Sequence, residues 1–393
     1  MTGSRYLDAA ATAPLRPEAR AAMIAALDAG LGNASSVHSA GHRARVIVDD
    51  ARERIAAALG ARPGEVVFTS GGTEANNLAV IGLALANPRG RHLVTTPIEH
   101  PSVLESCRFL ERVHGFEVSF VPVDASGLVD PAQVATVLRE DTTLVTVGLA
   151  NGEIGTVQPV PEIAALARAR GALVHTDAVQ AAATLPVSFG EGGWPGTAVD
   201  AMTIAAHKFG GAQGAGALLL RRQLRIEPVL HGGGQEGGIR SGTENVPAIA
   251  GLAAAVQAAS QGIGTRALAL TRSRDELIER VLAEVPGSRL TGHPAERLPG
   301  HASFVVEGVS GESLLVALDA AGVAASSGSA CAAGKDEPSP VLLAMGVDPV
   351  LAQTAIRFTL PAPFDGAEGD ALLDRVLGVL KAEVAMARAK RRG

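Results

Sequence analysis

Short apolar runs alternate with helix-period stretches along the first two-thirds of the chain. "EVVFTS" (65–70) leads into "TEANNLAVIGLALA" (73–86), "HLVTTP" (92–97) into "PSVLESCRFLERV" (101–113), and "TLVTVGLA" (143–150) into "PEIAALARARG" (161–171). "ALVHTDA" (172–178) and "AMTIAAH" (201–207) follow. Apolar runs of this length, separated by helices, predict parallel strands covered on both faces. "NVPAIAGLAAAVQAASQGIG" (245–264) is the least polar long run, but Asn, Gln and Ser interrupt it, so it reads as a buried helix rather than a membrane span. Beyond it the character changes. A charged helix, "RALALTRSRDELIERVLAEV" (266–285), precedes "ASFVVEG" (302–308) and "ESLLVALDAAG" (312–322). The pattern predicts a large α/β domain over 19–261 and a smaller α+β domain made of 1–18 and 262–393.

Composition narrows the function classes. With 393 residues the chain is long for a single core. Hydrophobic residues make up 47% and charged residues 19%, as in globular proteins. A formal net charge of −6 provides no basic footprint for nucleic acid. Two cysteines make no disulfide framework, which points to a reducing, cytoplasmic setting. The first residues show no charged segment followed by an apolar one, so no signal peptide is expected, and nothing in the pattern calls for a membrane.

The candidate chemistry lies at the strand ends, where ligands collect in open α/β sheets. In "SGGTEANN" a strand runs through two glycines into a helix. Gly72 lets the backbone approach a ligand closely, and the helix N-terminus suits an anion. Thr73 there is equally an ordinary N-cap. In "HTDAVQ", Asp177 either caps the next helix or holds a protonated ring nitrogen, and Gln180 follows one helical turn later. In "AHKFGG", Lys208 closes an apolar run. It is either a Schiff-base lysine or one that packs its stem and sends its amine to water. His207 beside it either meets a phosphate or fills space. A phosphate cup, an Asp for a pyridinium and a Lys for an aldehyde are what pyridoxal 5′-phosphate requires. Cys331 lies in "ASSGSACAAGKDEPSP" (325–340), whose Ser, Gly, Ala, charged and Pro residues are loop chemistry. Cys107 lies inside a helical pattern and reads as core. No metal site is expected.

The sequence resembles the cysteine desulfurases of the class V aminotransferase-like, pyridoxal-phosphate-dependent group. The motifs span nearly the whole chain: "YLDAAATAP", "GNASSVHSAG", "FTSGGTEANN", "EHPSV", "NGEIGTVQP", "HTDAVQ", "AHKFGG", "GGGQEGGIRSGTEN", "SGSAC" and "AIRFTL". The resemblance implies the pyridoxal-phosphate fold type I, with a mostly parallel, seven-stranded-type sheet between helices. It also implies that Lys208 bonds covalently to the cofactor, that Asp177 pairs with the ring nitrogen and Gln180 with the ring hydroxyl, and that His100 stacks on the ring and moves protons. Gly72, Thr73 and His207 would contact the phosphate. Thr243 would reach the phosphate of the neighbouring subunit of a homodimer, and Arg357 would clamp the substrate carboxylate. Cys331 would accept sulfur from L-cysteine as a persulfide and pass it to an acceptor or scaffold protein, for iron–sulfur clusters or thiolated cofactors. A selenocysteine lyase, another β-eliminating lyase and a non-catalytic sulfur-transfer scaffold are the competing readings. Three positions depart from the family pattern: Gly152 replaces a second Asn, Ala205 a Ser, and Ala34 a Pro.

Overall fold

The computed structural model describes residues 5–30, 32–327 and 337–392. Its main sheet has seven strands: β1 (Val66–Thr69), β2 (His92–Thr95), β3 (Glu117–Phe120), β4 (Thr142–Thr146), β5 (Leu173–Asp177), β8 (Ala201–Ala205) and β9 (Gly216–Leu220), in the order β1-β9-β8-β5-β4-β2-β3. A minor parallel pair, β6 (Val187–Ser188) and β7 (Trp194–Pro195), lies between β5 and β8 in the chain. The pairs from β8 through β5, β4 and β2 to β3 are parallel, whereas β9 runs antiparallel to both β8 and β1.

Alternation along the central strands sends side chains to two cores. Phe68, Val145 and Met202 join one hydrophobic cluster, and their chain neighbours Val67, Leu144 and Ala201 join the other. This double burial is why the central strands read as continuous apolar runs. The exception is β3, an edge strand whose Glu117 and Phe120 are exposed, and no apolar run announces it. The antiparallel β9 was also hidden, because "GALLL" continues a glycine-rich segment. Gly216 is needed there: a Cβ would lie 2.7 Å from the carbonyl carbon of Gly71, so β9 packs directly beneath the turn that follows β1.

Proline opens several helices. Pro101, Pro131, Pro340 and Pro349 sit in the first turn, where the missing N–H costs no intrahelical bond. The run expected as one helix over 73–86 is divided. An α-helical turn at Gly72–Asn77 passes through a π-helical stretch, Leu78–Gly82, before α-helix resumes at Leu83–Ala86. Helix Val246–Ser260 is buried along most of its length and helix Ile263–Glu284 follows at a 74° bend. Among the described residues, no single helix is long and apolar enough to cross a membrane.

A second, antiparallel sheet has the order β10 (Ser288–Leu290), β11 (His301–Val306) and β12 (Ala355–Thr359). Its core combines Phe304, Phe358 and Leu277 with Leu7 from the N-terminal stretch. That stretch ties the two sheets together. Leu7 N–H donates to Ala324 O and Leu7 O accepts from Thr359 N–H, both at 2.8 Å; Ala13 N–H then reaches His207 O at 2.7 Å.

Burial at the strand ends has a consequence for stability. Glu99 is fully enclosed, and burial followed by the nearby charge of Asp177 pushes its carboxyl up to about 8, against accepted bonds from the Thr96 hydroxyl (2.7 Å) and Gly148 N–H (2.8 Å). An unfolded Glu ionises near its ordinary 4.5, so between there and about 8 the folded chain holds a proton that the unfolded chain has lost. This group therefore makes stability fall as pH rises through that window, by at most about 1.4 kcal/mol per pH unit. Glu99→Gln cannot titrate. Urea unfolding at pH 5 and pH 8 should show a shallower decline in the variant than in the parent; equal slopes would mean that Glu99 ionises normally.

Candidate active site

The site forms where β5 and β8 end. Asp177 closes β5. Its Oδ1 accepts from Val179 N–H at 2.9 Å and its Oδ2 accepts from Asn76 Nδ2 at 2.6 Å. Lys208 ends the short 3₁₀ turn after β8, with Nζ donating to the carbonyls of Ala10 (2.7 Å) and Ala11 (3.0 Å). Gln180 Nε2 donates to the same Ala10 carbonyl at 3.1 Å, which places the amide beside the lysine amine. The N-terminal strap thus supplies the oxygens that hold the lysine.

The turn between β1 and the helix at Gly72 is a cradle. A Cβ on Gly72 would stand 2.9 Å from Val179 Cγ2 and 3.3 Å from Ala205 Cβ. Only glycine permits this approach, and it brings the helix start against the ends of β5 and β8. Thr73 is exposed at that start. Glu74, in the same turn, bonds Ser70 N–H at 2.8 Å and pairs with Arg240 at 2.6 Å. That ion pair docks the glycine-rich segment carrying the exposed Thr243. His207 lies 3.3 Å from Thr12 Oγ1, and burial, reinforced by the Lys208 charge, pushes its imidazole down to about 4. It is a neutral ring at physiological pH and can donate one N–H to an anion.

His100 caps the helix Pro101–His114: its Nδ1 accepts from Ser102 N–H at 3.1 Å and lies 2.7 Å from Ser102 Oγ. Asn76 Nδ2 donates to Ser102 Oγ at 2.9 Å as well as to Asp177. Asp177 and His100 are therefore joined through two residues that the motif reading did not select. The available signal was Asn76 itself, an amide among Ala75, Leu78 and Ala79 on the buried side of a helix.

Arg357 is buried on β12. Its Nη1 donates to Gly152 O at 2.8 Å, its Nη2 pairs with Asp8 at 2.9 Å, and its buried Nε has no hydrogen-bond partner among the described residues. Gly152 lies against Gln180: a Cβ there would be 2.7 Å from Nε2. The second Asn of the family pattern is missing where Gln180 fills the space. Asn151 is committed elsewhere, donating to Ile98 O at 2.8 Å and accepting from Glu153 and Ile154 N–H.

Cys331 lies outside the described residues. The chain on either side of its segment is tied to this site. Ser326 exchanges backbone hydrogen bonds with Arg357 at 2.7 and 3.2 Å. Ser339 donates its hydroxyl to Glu153, next to Gly152. Cys107 is different: it is buried in a helix, and burial followed by the charges of Glu99 and Glu111 pushes its thiol up to about 12, which leaves it inert.

These groups fit pyridoxal phosphate. Asp177 is an acceptor whose two oxygens take only neutral N–H donors among the bonds described, so a pyridinium N–H completes its charge pairing. The Gly72 cradle admits a phosphate near backbone N–H groups, and the lysine amine shares the Ala10 carbonyl with Gln180.

A family model described as aminotransferase class-V matches residues 5–362. The chain is 45% identical to the IscS-like cysteine desulfurase of Mycobacterium tuberculosis, across 98% of this chain and 97% of that protein. It is 44% identical to cysteine desulfurase IscS of Dictyoglomus turgidum, across 90% and 89% respectively. Among solved structures, a NifS-like protein superposes with a TM-score of 0.87 at 34% identity, covering 96% of this chain and 99% of that one. SspA in complex with cysteine superposes with a TM-score of 0.79 at 32% identity, covering 91% and 99%. With its sheet order, its strand-end lysine and carboxylate, and relatives matched along almost its full length, the chain belongs to the aminotransferase class-V family and, within it, to the pyridoxal-phosphate-dependent cysteine desulfurases.

Proposed function

We propose that this enzyme takes sulfur from L-cysteine onto Cys331, releases L-alanine and hands the persulfide sulfur to an acceptor protein for iron–sulfur clusters or thiolated cofactors. The observation that carries this reading is the tethering of both flanks of the Cys331 segment, through Ser326 and Ser339, to Arg357 and Glu153 at the edge of the lysine–aspartate cleft. Both described flanks of the segment therefore support Cys331 as the sulfur acceptor.

Lys208 would bond to the cofactor, Asp177 would pair with the ring nitrogen, Gln180 with the ring hydroxyl and His100 with the ring; Gly72, Thr73 and His207 would hold the phosphate. Bound pyridoxal phosphate supplies an electron sink for the substrate Cα. Asp177 keeps negative charge at the ring nitrogen and so favours its protonated form. Arg357 orients the substrate carboxylate with the donor that the described residues leave unpaired. Lys208 removes and returns the Cα proton. Cys331, as thiolate, bonds to the substrate sulfur while the substrate C–S bond breaks, so that one cysteine and one enzyme thiol become alanine and one enzyme persulfide. Two copies of the chain assemble as a homodimer in which the exposed Thr243, held by the Arg240–Glu74 pair, serves the neighbouring subunit's phosphate.

Three outcomes test this reading. Lys208→Ala should abolish both the visible absorbance of lysine-bound cofactor and alanine formation, with the circular dichroism of the fold retained; parent-rate turnover would refute the role of Lys208. Gly152→Asn should weaken cofactor binding by roughly 1–3 kcal/mol, because its side chain enters the space of Gln180. A titration showing equal or tighter binding would mean that Gln180 moves aside without cost. Cys331→Ala should still bind cysteine but form no persulfide, whereas Cys107→Ala should keep turning over. Mass spectrometry after one turnover should find the added sulfur on the Cys331 peptide, and sulfur on Cys107 would reverse the assignment.

A further inference from the structure

The contacts that join Asp177 to His100 also decide where the His100 ring carries its proton. Asn76 is 1% exposed and spends both amide hydrogens, one on Asp177 Oδ2 (2.6 Å) and one on Ser102 Oγ (2.9 Å). The flipped amide would set Oδ1 against the Asp177 carboxylate. In the orientation present, Oδ1 is a buried acceptor with no partner among the described residues. An amide that leaves its oxygen unpaired in the interior is placed there for its two donors. Ser102 Oγ accepts from Asn76, so its own proton is free to go to His100 Nδ1, 2.7 Å away. Ser102 N–H, which can only donate, points at the same nitrogen from 3.1 Å. A proton on Nδ1 would set N–H against N–H at the positive end of the helix Pro101–His114.

We infer that Asn76 and Ser102 are positioning residues that lock His100 in the tautomer with a lone pair on Nδ1 and the proton on Nε2. The inference rests on the proposed function for its catalytic meaning: at Nε2, His100 offers the reaction a hydrogen-bond donor and not a base. Abstraction of the Cα proton then falls to Lys208, and the chain of donors running from Asn76 aligns the ring with Asp177, the carboxylate that faces the cofactor nitrogen. A neutral histidine fixed as a donor by a helix N-terminus is a known catalytic device in other enzymes.

Histidine-selective 15N labelling of the full chain tests this, with and without bound cofactor. His100 is assigned by the signals that vanish in His100→Gln. Its Nδ1 should resonate in the unprotonated range and its Nε2 in the protonated range. Ser102→Ala, which loses the hydroxyl but keeps the backbone N–H, should raise the share of the Nδ1-protonated tautomer and lower kcat for alanine formation by roughly tenfold to a hundredfold with KM little changed. Ser102→Thr, which restores the hydroxyl, should recover both. A protonated Nδ1 in the parent overturns the inference. So does Ser102→Ala with parent-like ring signals, whether its turnover falls or not, because any loss would then come from packing. The tautomer is read without turnover, so an enzyme inactive on cysteine would sink the proposed function while leaving this measurement decisive.

Discussion

The structure is organised around one carboxylate held at the end of a buried strand. Asp177 terminates β5 between two parallel neighbours, where the sheet is covered on both faces. A charge in that place is costly unless donors meet it. Val179 N–H meets one oxygen and Asn76 the other. Glu99, enclosed nearby, does not add a second charge: its carboxyl stays protonated up to about 8. Burial thus keeps Glu99 neutral, while both oxygens of Asp177 are met by N–H donors, which leaves Asp177 as the acceptor at this strand end.

The second requirement is registration of the two sheets. Asp177 ends a strand of the large sheet and Lys208 follows another, while Arg357 lies on β12 of the smaller one. The N-terminal stretch bridges them by adding backbone hydrogen bonds to β12 and then supplying the Ala10 and Ala11 carbonyls to Lys208. Arg357 closes the arrangement from the other side through Asp8 and Gly152. Lys208 and Arg357 are thus both tied to the N-terminal stretch, and a shift of one sheet would disturb both.

Much of this was legible in the sequence. Continuous apolar runs marked β1, β2, β4, β5 and β8, because double burial leaves no room for polar alternation. The strand-end motifs marked Lys208, Asp177, Gln180 and the Gly72 turn, since a polar residue closing an apolar strand has no packing role to explain it. The edge strand β3 and the glycine-preceded β9 carried no such run. The π-helical stretch at Leu78–Gly82 left no trace in a sequence that is apolar throughout.

Sequence by itself determined the fold class and the cofactor and named candidate reactive groups, because these depend on periodicity and on residue type at strand ends. Only the tertiary structure decided how those groups are used. That Gly152 gives its space to Gln180, that Asn151 is spent on Ile98 and its own turn, and that Asn76 reaches Ser102 and Asp177, 26 and 101 residues away, are facts about groups brought together only by the fold. Hydrogen-bond direction is set by which donor reaches which acceptor in three dimensions, and no spacing along the chain encodes it.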